Sequence, residues 1–170
     1  MVKPNWIIAI DPDVNKSGVV LLDVKNKEFV FAAALSFVDT MYSINKMLVD
    51  ISAKDCVVVV IEDSDMSANW HYSQKDSKAK VAAKGRSVGM CHATARHLKE
   101  YCEWQQSISS TVMMKPLRKC WKGADGKITH EEITQFTKGL PGRTNREVRD
   151  AALLAWTYAN LPIRLKLYTN

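Results

Sequence analysis

Four acidic side chains stand at positions where chemistry explains a charge more readily than folding does. Asp11 closes the apolar run Ile7–Ile10, inside the stretch IIAIDPDVNKSGVV at 7–20. Glu62 closes the β-branched run CVVVVI at 56–61. Glu147 and Asp150 stand three residues apart, on one face of a predicted C-terminal helix. A carboxylate at the end of a buried strand is unfavourable unless a cation pairs with it. If the two strands are parallel neighbours, Asp11 and Glu62 emerge at the same edge, and the last helix has to pack its N-terminus there. Four converging carboxylates repel one another strongly. They are tolerable around a divalent metal, and oxygen ligands of this kind select Mg²⁺ or Mn²⁺. Structural readings stand beside these. Asp11-Pro12-Asp13 is turn chemistry, Glu62-Asp63 can be the polar end of a strand, and Thr144-x-x-Glu147 is a capping box. Asp150 is harder to explain that way, because Ala-Ala-Leu-Leu-Ala-Trp follows it on a helix that must be largely buried.

The elements that have to position these residues are legible in the pattern. Trp6–Asp11, Ser17–Val24 and Glu28–Leu35 read as three strands joined by short turns, an antiparallel meander. Asp39 is the expected N-cap of a helix running to Ile51. Cys56–Ile61 lacks alternation, the mark of a central strand buried on both faces. Residues 64–84 are polar and carry four lysines, with Trp70 and Tyr72 interleaved. A helix is expected from Gly85 to Trp104. Its seam is Val88, Cys91, Ala95, Leu98 and Cys102, and its small-residue ridge is Gly85, Gly89 and Ala93. The ridge suits either the domain's own sheet or a dimer contact. Ser107–Met114 reads as a fifth strand and Pro116–Gly123 as a basic helical turn. Thr129 and Glu132 form a capping box for a short helix to about Lys138. The last helix is capped by Thr144 or Asn145 and runs to about Leu161. The order βββαβαβα makes a mixed α/β sheet flanked by helices, in a single domain over 1–170.

A chain of 170 residues with 46% hydrophobic and 25% charged content has the composition of a soluble globular protein. No apolar run approaches the ~20 residues of a membrane span, and MVKPNW passes almost directly into a strand, so no signal peptide is expected. Cys56, Cys91, Cys102 and Cys120 lack paired C-x-x-C spacing and read as free, mostly buried thiols of a reducing cytoplasm. The net charge of +6 is unevenly placed. Residues 1–63 carry six Lys/Arg against nine Asp/Glu (−3), residues 64–125 eleven against five (+6), and residues 126–170 seven against four (+3). An acidic first third before a basic middle suits a carboxylate site beside a surface for a polyanion; a solvated basic face is the plain alternative.

Motifs in order carry a family resemblance. I-x-I-D-P-x(5)-G at the start, V-V-I-E at 59–62, Lys115-Pro116-Leu117-Arg118-Lys119 before Gly123, Lys127 ahead of Glu131-Glu132-Ile133, and an acidic-x-x-D-A-A-L-x-A helix resemble the RuvC Holliday-junction resolvases. The resemblance spans nearly the whole chain. It implies a ribonuclease H-like fold, a mixed five-stranded sheet with an antiparallel meander followed by parallel strands. It also implies that Asp11, Glu62, Glu147 and Asp150 bind two Mg²⁺ or Mn²⁺ ions. Lys119 and Lys127 match the family's basic residues near the scissile phosphate. The chain departs from the family at Asp13, where glycine is usual, and in a shorter Lys119-to-Lys127 spacing. It also has Asp63-Ser64-Asp65-Met66 after Glu62 instead of a wedging aromatic; Met66, Trp70 or Tyr72 would take that part.

The implied function is a crossover junction endodeoxyribonuclease, bacterial or phage-encoded and cytoplasmic, that hydrolyses opposed strands of a four-way DNA junction with two metal ions. Lys84, Arg86, Lys115, Arg118, Lys119, Lys122 and Lys127 would hold DNA phosphates, with Trp70 and Tyr72 stacking on a base. A two-fold junction suits a homodimer. The competing readings are a YqgF-like RNA-processing nuclease, a sugar-kinase-like phosphotransferase, and a non-catalytic junction-binding module. The chain is too short for a two-lobed kinase, and binding alone gains nothing from carboxylates near phosphate.

Overall fold

The computed structural model describes residues 3–66, 76–117 and 120–165. Its strands are β1 (Trp6–Asp11), β2 (Ser17–Asp23), β3 (Glu28–Leu35), β4 (Val57–Glu62) and β5 (Ser110–Met114). They form one sheet in the order β3-β2-β1-β4-β5. β1, β2 and β3 are an antiparallel meander, and β4 and β5 run parallel to β1. This is the mixed five-stranded sheet, an antiparallel meander followed by parallel strands, that the motifs implied. The helices are α1 (Phe37–Asp50), α2 (Lys78–Trp104), α3 (His130–Ile133) and α4 (Arg146–Tyr158).

Side chains alternate across each strand, so the sheet has two apolar faces. Ile7 and Ala9 of β1, Val20 and Leu22 of β2, and Val58 and Val60 of β4 pack under α4. Ile8, Ile10, Val19, Leu21, Val57, Val59 and Ile61 face α1 and α2 through Ile44, Met47, Ala95, Leu98 and Cys102. A strand covered on both sides must be apolar at every position, which is why β4 reads as an unbroken β-branched run. Burying each such side chain contributes about 1.5–3 kcal/mol.

Several boundaries differ from expectation. Ser36, not Asp39, caps α1: its hydroxyl accepts from Asp39 N at 3.2 Å, and Asp39 lies in the first turn. β5 begins at Ser110 rather than Ser107. α2 starts at Lys78, capped by Ser77, seven residues before Gly85. Its expected seam divides accordingly. Ala95, Leu98 and Cys102 are buried on the sheet and Val88 and Cys91 are half-buried; of the small-residue ridge, Gly89 and Ala93 are exposed and Gly85 is half-buried. Lys115–Leu117 and Cys120–Gly123 are irregular and not a helical turn. α3 stops at Ile133, short of Lys138. The four cysteines are free, but Cys102 alone is fully buried and Cys120 is exposed. No helix among the described residues is long and apolar enough to cross a membrane.

Candidate active site

The parity of the strands aims the first two carboxylates. Ile7 and Ala9 face α4, so Asp11 does too; Val58 and Val60 face α4, so Glu62 does too. In the parallel pair, Ile10 is level with Ile61. Asp11 and Glu62 are the next residues along, so they leave neighbouring strands side by side at the C-terminal edge of the sheet.

α4 reaches this edge because of a glycine. Gly18 is the register partner of Asp11 on β2. A Cβ built on it would lie 2.0 Å from the Glu147 carbonyl oxygen and 2.7 Å from Val148 N. The first turn of α4 therefore lies against the β2 backbone, a fit that no other residue type permits. Asn145 caps the helix, its side chain accepting from Val148 N at 3.0 Å. Thr144 does not cap it; its hydroxyl is paired with His130 Nδ1 at 2.9 Å. The capping-box account of Glu147 is thereby removed.

The consequence is electrostatic. The Asp11 carboxyl is held well above the usual aspartate range, first by burial, then by the charges of Glu62 and Asp150; Lys127 acts in the opposite sense, and Glu147 adds to the rise. Glu62, Asp150 and Glu147 are thus all near enough to Asp11 for their charges to act on it. Asp13 has a different part: its carboxylate accepts from Asn15 N at 2.9 Å, forming the turn before β2.

Lys127 completes the cluster. Its ammonium donates to Asp150 Oδ2, a pair in which the side chains are 20% and 8% exposed. The loop that delivers it is tightly tied. Gly123 N donates to Lys127 O and Trp121 N to Gly126 O, both at 3.0 Å. Buried Glu132 accepts from Lys122 N at 3.2 Å and from Thr129 N at 3.0 Å. Arg149, on α4 itself, donates from Nε to Ile128 O at 2.9 Å. Trp121 packs on Phe136, which packs on Trp156 of α4. Glu132, Arg149 and Gly123 hold this loop; Arg149 stood in no motif, and Gly123 and Glu132 stood in motifs without this part being evident. The Thr129/Glu132 capping box was visible and is formed, but the second use of Glu132, on Lys122, depends on a loop whose path spacing does not reveal.

The basic residues divide by location. Lys115 follows β5 directly, beside the strand that ends in Glu62, and is exposed. Lys122 and Arg86 are exposed, and Lys84 is paired with Asp76. Met66 is 56% exposed in the turn Ser64–Met66 just beyond Glu62. Trp70, Tyr72, Arg118 and Lys119 lie outside the described residues.

Among the described residues, no three His, Cys, Asp or Glu side chains are already arranged as a group to hold a metal ion. The donor chemistry nevertheless fits one. The carboxylates facing Asp11 are hard oxygen donors in excess of the positive charge beside them, a combination that suits a small divalent cation.

The chain matches no family model and no curated protein. Among solved structures it is similar to T. thermophilus RuvC in complex with Holliday junction substrate. The identity is 15% and the TM-score 0.48, over 91% of this chain and 92% of that one.

Proposed function

We propose that this protein is a metal-dependent, structure-selective DNA endonuclease that resolves four-way junctions by paired phosphodiester hydrolysis. The observation that carries the reading is the Asp11 carboxyl at the C-terminal edge of the sheet, raised first by burial and then by the charges of Glu62, Asp150 and Glu147. A fold does not gather like charges on a buried aspartate for stability. Asp11, Glu62, Glu147 and Asp150 would hold Mg²⁺ or Mn²⁺, two ions per site. When bound, the metal supplies an activated water and stabilisation of the leaving oxygen.

The chain's own residues do the rest. Lys127, and Lys119 in the segment outside the described residues, would neutralise charge building on the phosphate. Lys115, Arg118 and Lys122 would hold the strand beside the site, with Lys84 and Arg86 of α2 further along the DNA. Met66, Trp70 or Tyr72 would open the junction by packing against bases. A homodimer joined along α2 would present one site to each of two opposed strands.

The test is cleavage of a labelled four-way junction and of linear duplex, with Mg²⁺ and with chelator. Paired, metal-dependent nicks confined to the junction are expected. Asp11→Asn should lower cleavage by at least about a thousandfold, a loss of ~4 kcal/mol of transition-state stabilisation, and leave junction binding intact. Junction binding without cleavage by the wild type would leave a binding module instead. A fully active Asp11→Asn protein would sink the proposed site.

A further inference from the structure

Lys127 stands out from the other basic residues in how it is built. Its ammonium pairs with Asp150, and it is the cationic group among the charges that face Asp11. Both its backbone groups are paired, the N–H donating to Ala124 O at 3.1 Å. Gly123 N donates to its carbonyl at 3.0 Å, and a Cβ on Gly123 would lie 2.4 Å from that same oxygen. The next carbonyl, of Ile128, accepts from Arg149, which neighbours Asp150 on α4. Loop and helix are therefore stapled together by the immediate neighbours of the two residues whose side chains form the ion pair. A solvated surface lysine needs none of this.

We propose that the Lys127 ammonium is the resident counter-cation of the carboxylate cluster, released from Asp150 when a divalent ion binds there. This rests on the reading of Asp11, Glu62, Glu147 and Asp150 as metal ligands. A buried carboxylate left without any cation would destabilise the metal-free fold, and Lys127 prevents that. An ammonium and a divalent ion compete for the same oxygens and repel each other, so each weakens the other's hold. By linkage the effect is reciprocal. The released ammonium remains tethered beside the site, within reach of a phosphate placed over it. Metal binding and phosphate binding would then be coupled through this one side chain.

Calorimetric titration of Mn²⁺ into the wild type, Lys127→Met, Lys127→Arg and Asp11→Asn tests the idea with no turnover involved. Lys127→Met keeps the length of the stem and removes the competing charge. It should bind Mn²⁺ about tenfold more tightly than the wild type, or better, while Lys127→Arg stays near the wild type. Equal or weaker binding by Lys127→Met, with binding lost in Asp11→Asn, overturns the counter-cation and leaves the metal ligands standing. No Mn²⁺ binding by either the wild type or Lys127→Met overturns both. Should Lys127→Met fail to fold, the wild type still decides. Its Lys127 side-chain carbon resonance, identified by its loss in Lys127→Arg, should move during a Mg²⁺ titration with the midpoint of metal binding. A resonance that stays in place overturns the inference.

Discussion

Burial and the charges of Glu62 and Asp150 hold the Asp11 carboxyl above its ordinary value, and this fixes the sign of a pH effect. An acid with a raised folded-state pKa binds its proton more tightly folded than unfolded. Its contribution is favourable below the unfolded value, ~3.9, and is lost as pH rises through the raised folded value. Each unit of rise corresponds to about 1.4 kcal/mol. In chelator, the metal-free protein should therefore lose stability with increasing pH across that window. Asp11→Asn should flatten the profile. Urea denaturation of both proteins over a pH series measures it, and an identical slope in the two would remove Asp11 as the source. The identities of these acidic residues were readable from their places at the ends of apolar runs. Their mutual influence was not, since it depends on a buried geometry that residue type does not encode.

At the scale of elements, the contact of α4 with β2 decides whether there is a site at all. Gly18 allows it, because a side chain there would overlap the Glu147 carbonyl. Gly18→Ala should destabilise the fold by about 1–3 kcal/mol, the range for overpacking a tight contact. It should also lower cleavage more than it lowers stability, by moving Glu147 and Asp150 away from Asp11. Thermal denaturation and junction cleavage measured together give the result; a variant matching the wild type in both would contradict the packing of α4. Apolar patterning located the strands and the longer helices, with an unbroken β-branched run marking β4 and a capping box marking α3. Boundaries were less legible: Ser36 takes the cap expected of Asp39, and Ser77 starts α2 well ahead of the expected Gly85. The Lys127 loop was the least legible element. It has no periodicity, and Glu132, Arg149 and the Trp121–Phe136–Trp156 contacts hold it from three different parts of the chain.

Across the whole molecule, charge is segregated. The −3 of residues 1–63 contains the strand ends of the site, and the +6 of residues 64–125 contains α2 and the segment after β5. The N-terminal half of α2 stands largely clear of the sheet, since its buried residues begin at Ala95. That half carries Lys78, Lys80, Lys84 and Arg86. Junction binding should accordingly weaken steeply with salt. If about four phosphates are neutralised, log K should fall against log salt with a slope of about −3.6. Binding measured by fluorescence anisotropy between low and moderate salt tests this, and a slope near zero would dismiss the basic middle third as the DNA surface.

The sequence by itself determined the order of strands and helices, the double burial of β4, the places of Asp11 and Glu62 at strand ends and the sign of each third's charge. These follow from local rules: periodicity, β-branching, turn chemistry and the rarity of buried charge. Tertiary structure decided the rest. It brought Glu147 and Asp150 to Asp11 across a gap that only Gly18 leaves open, withdrew Thr144 from the helix cap, and seated Lys127 on Asp150. Each of these depends on the approach of backbones far apart in the chain, and no local pattern specifies such distances.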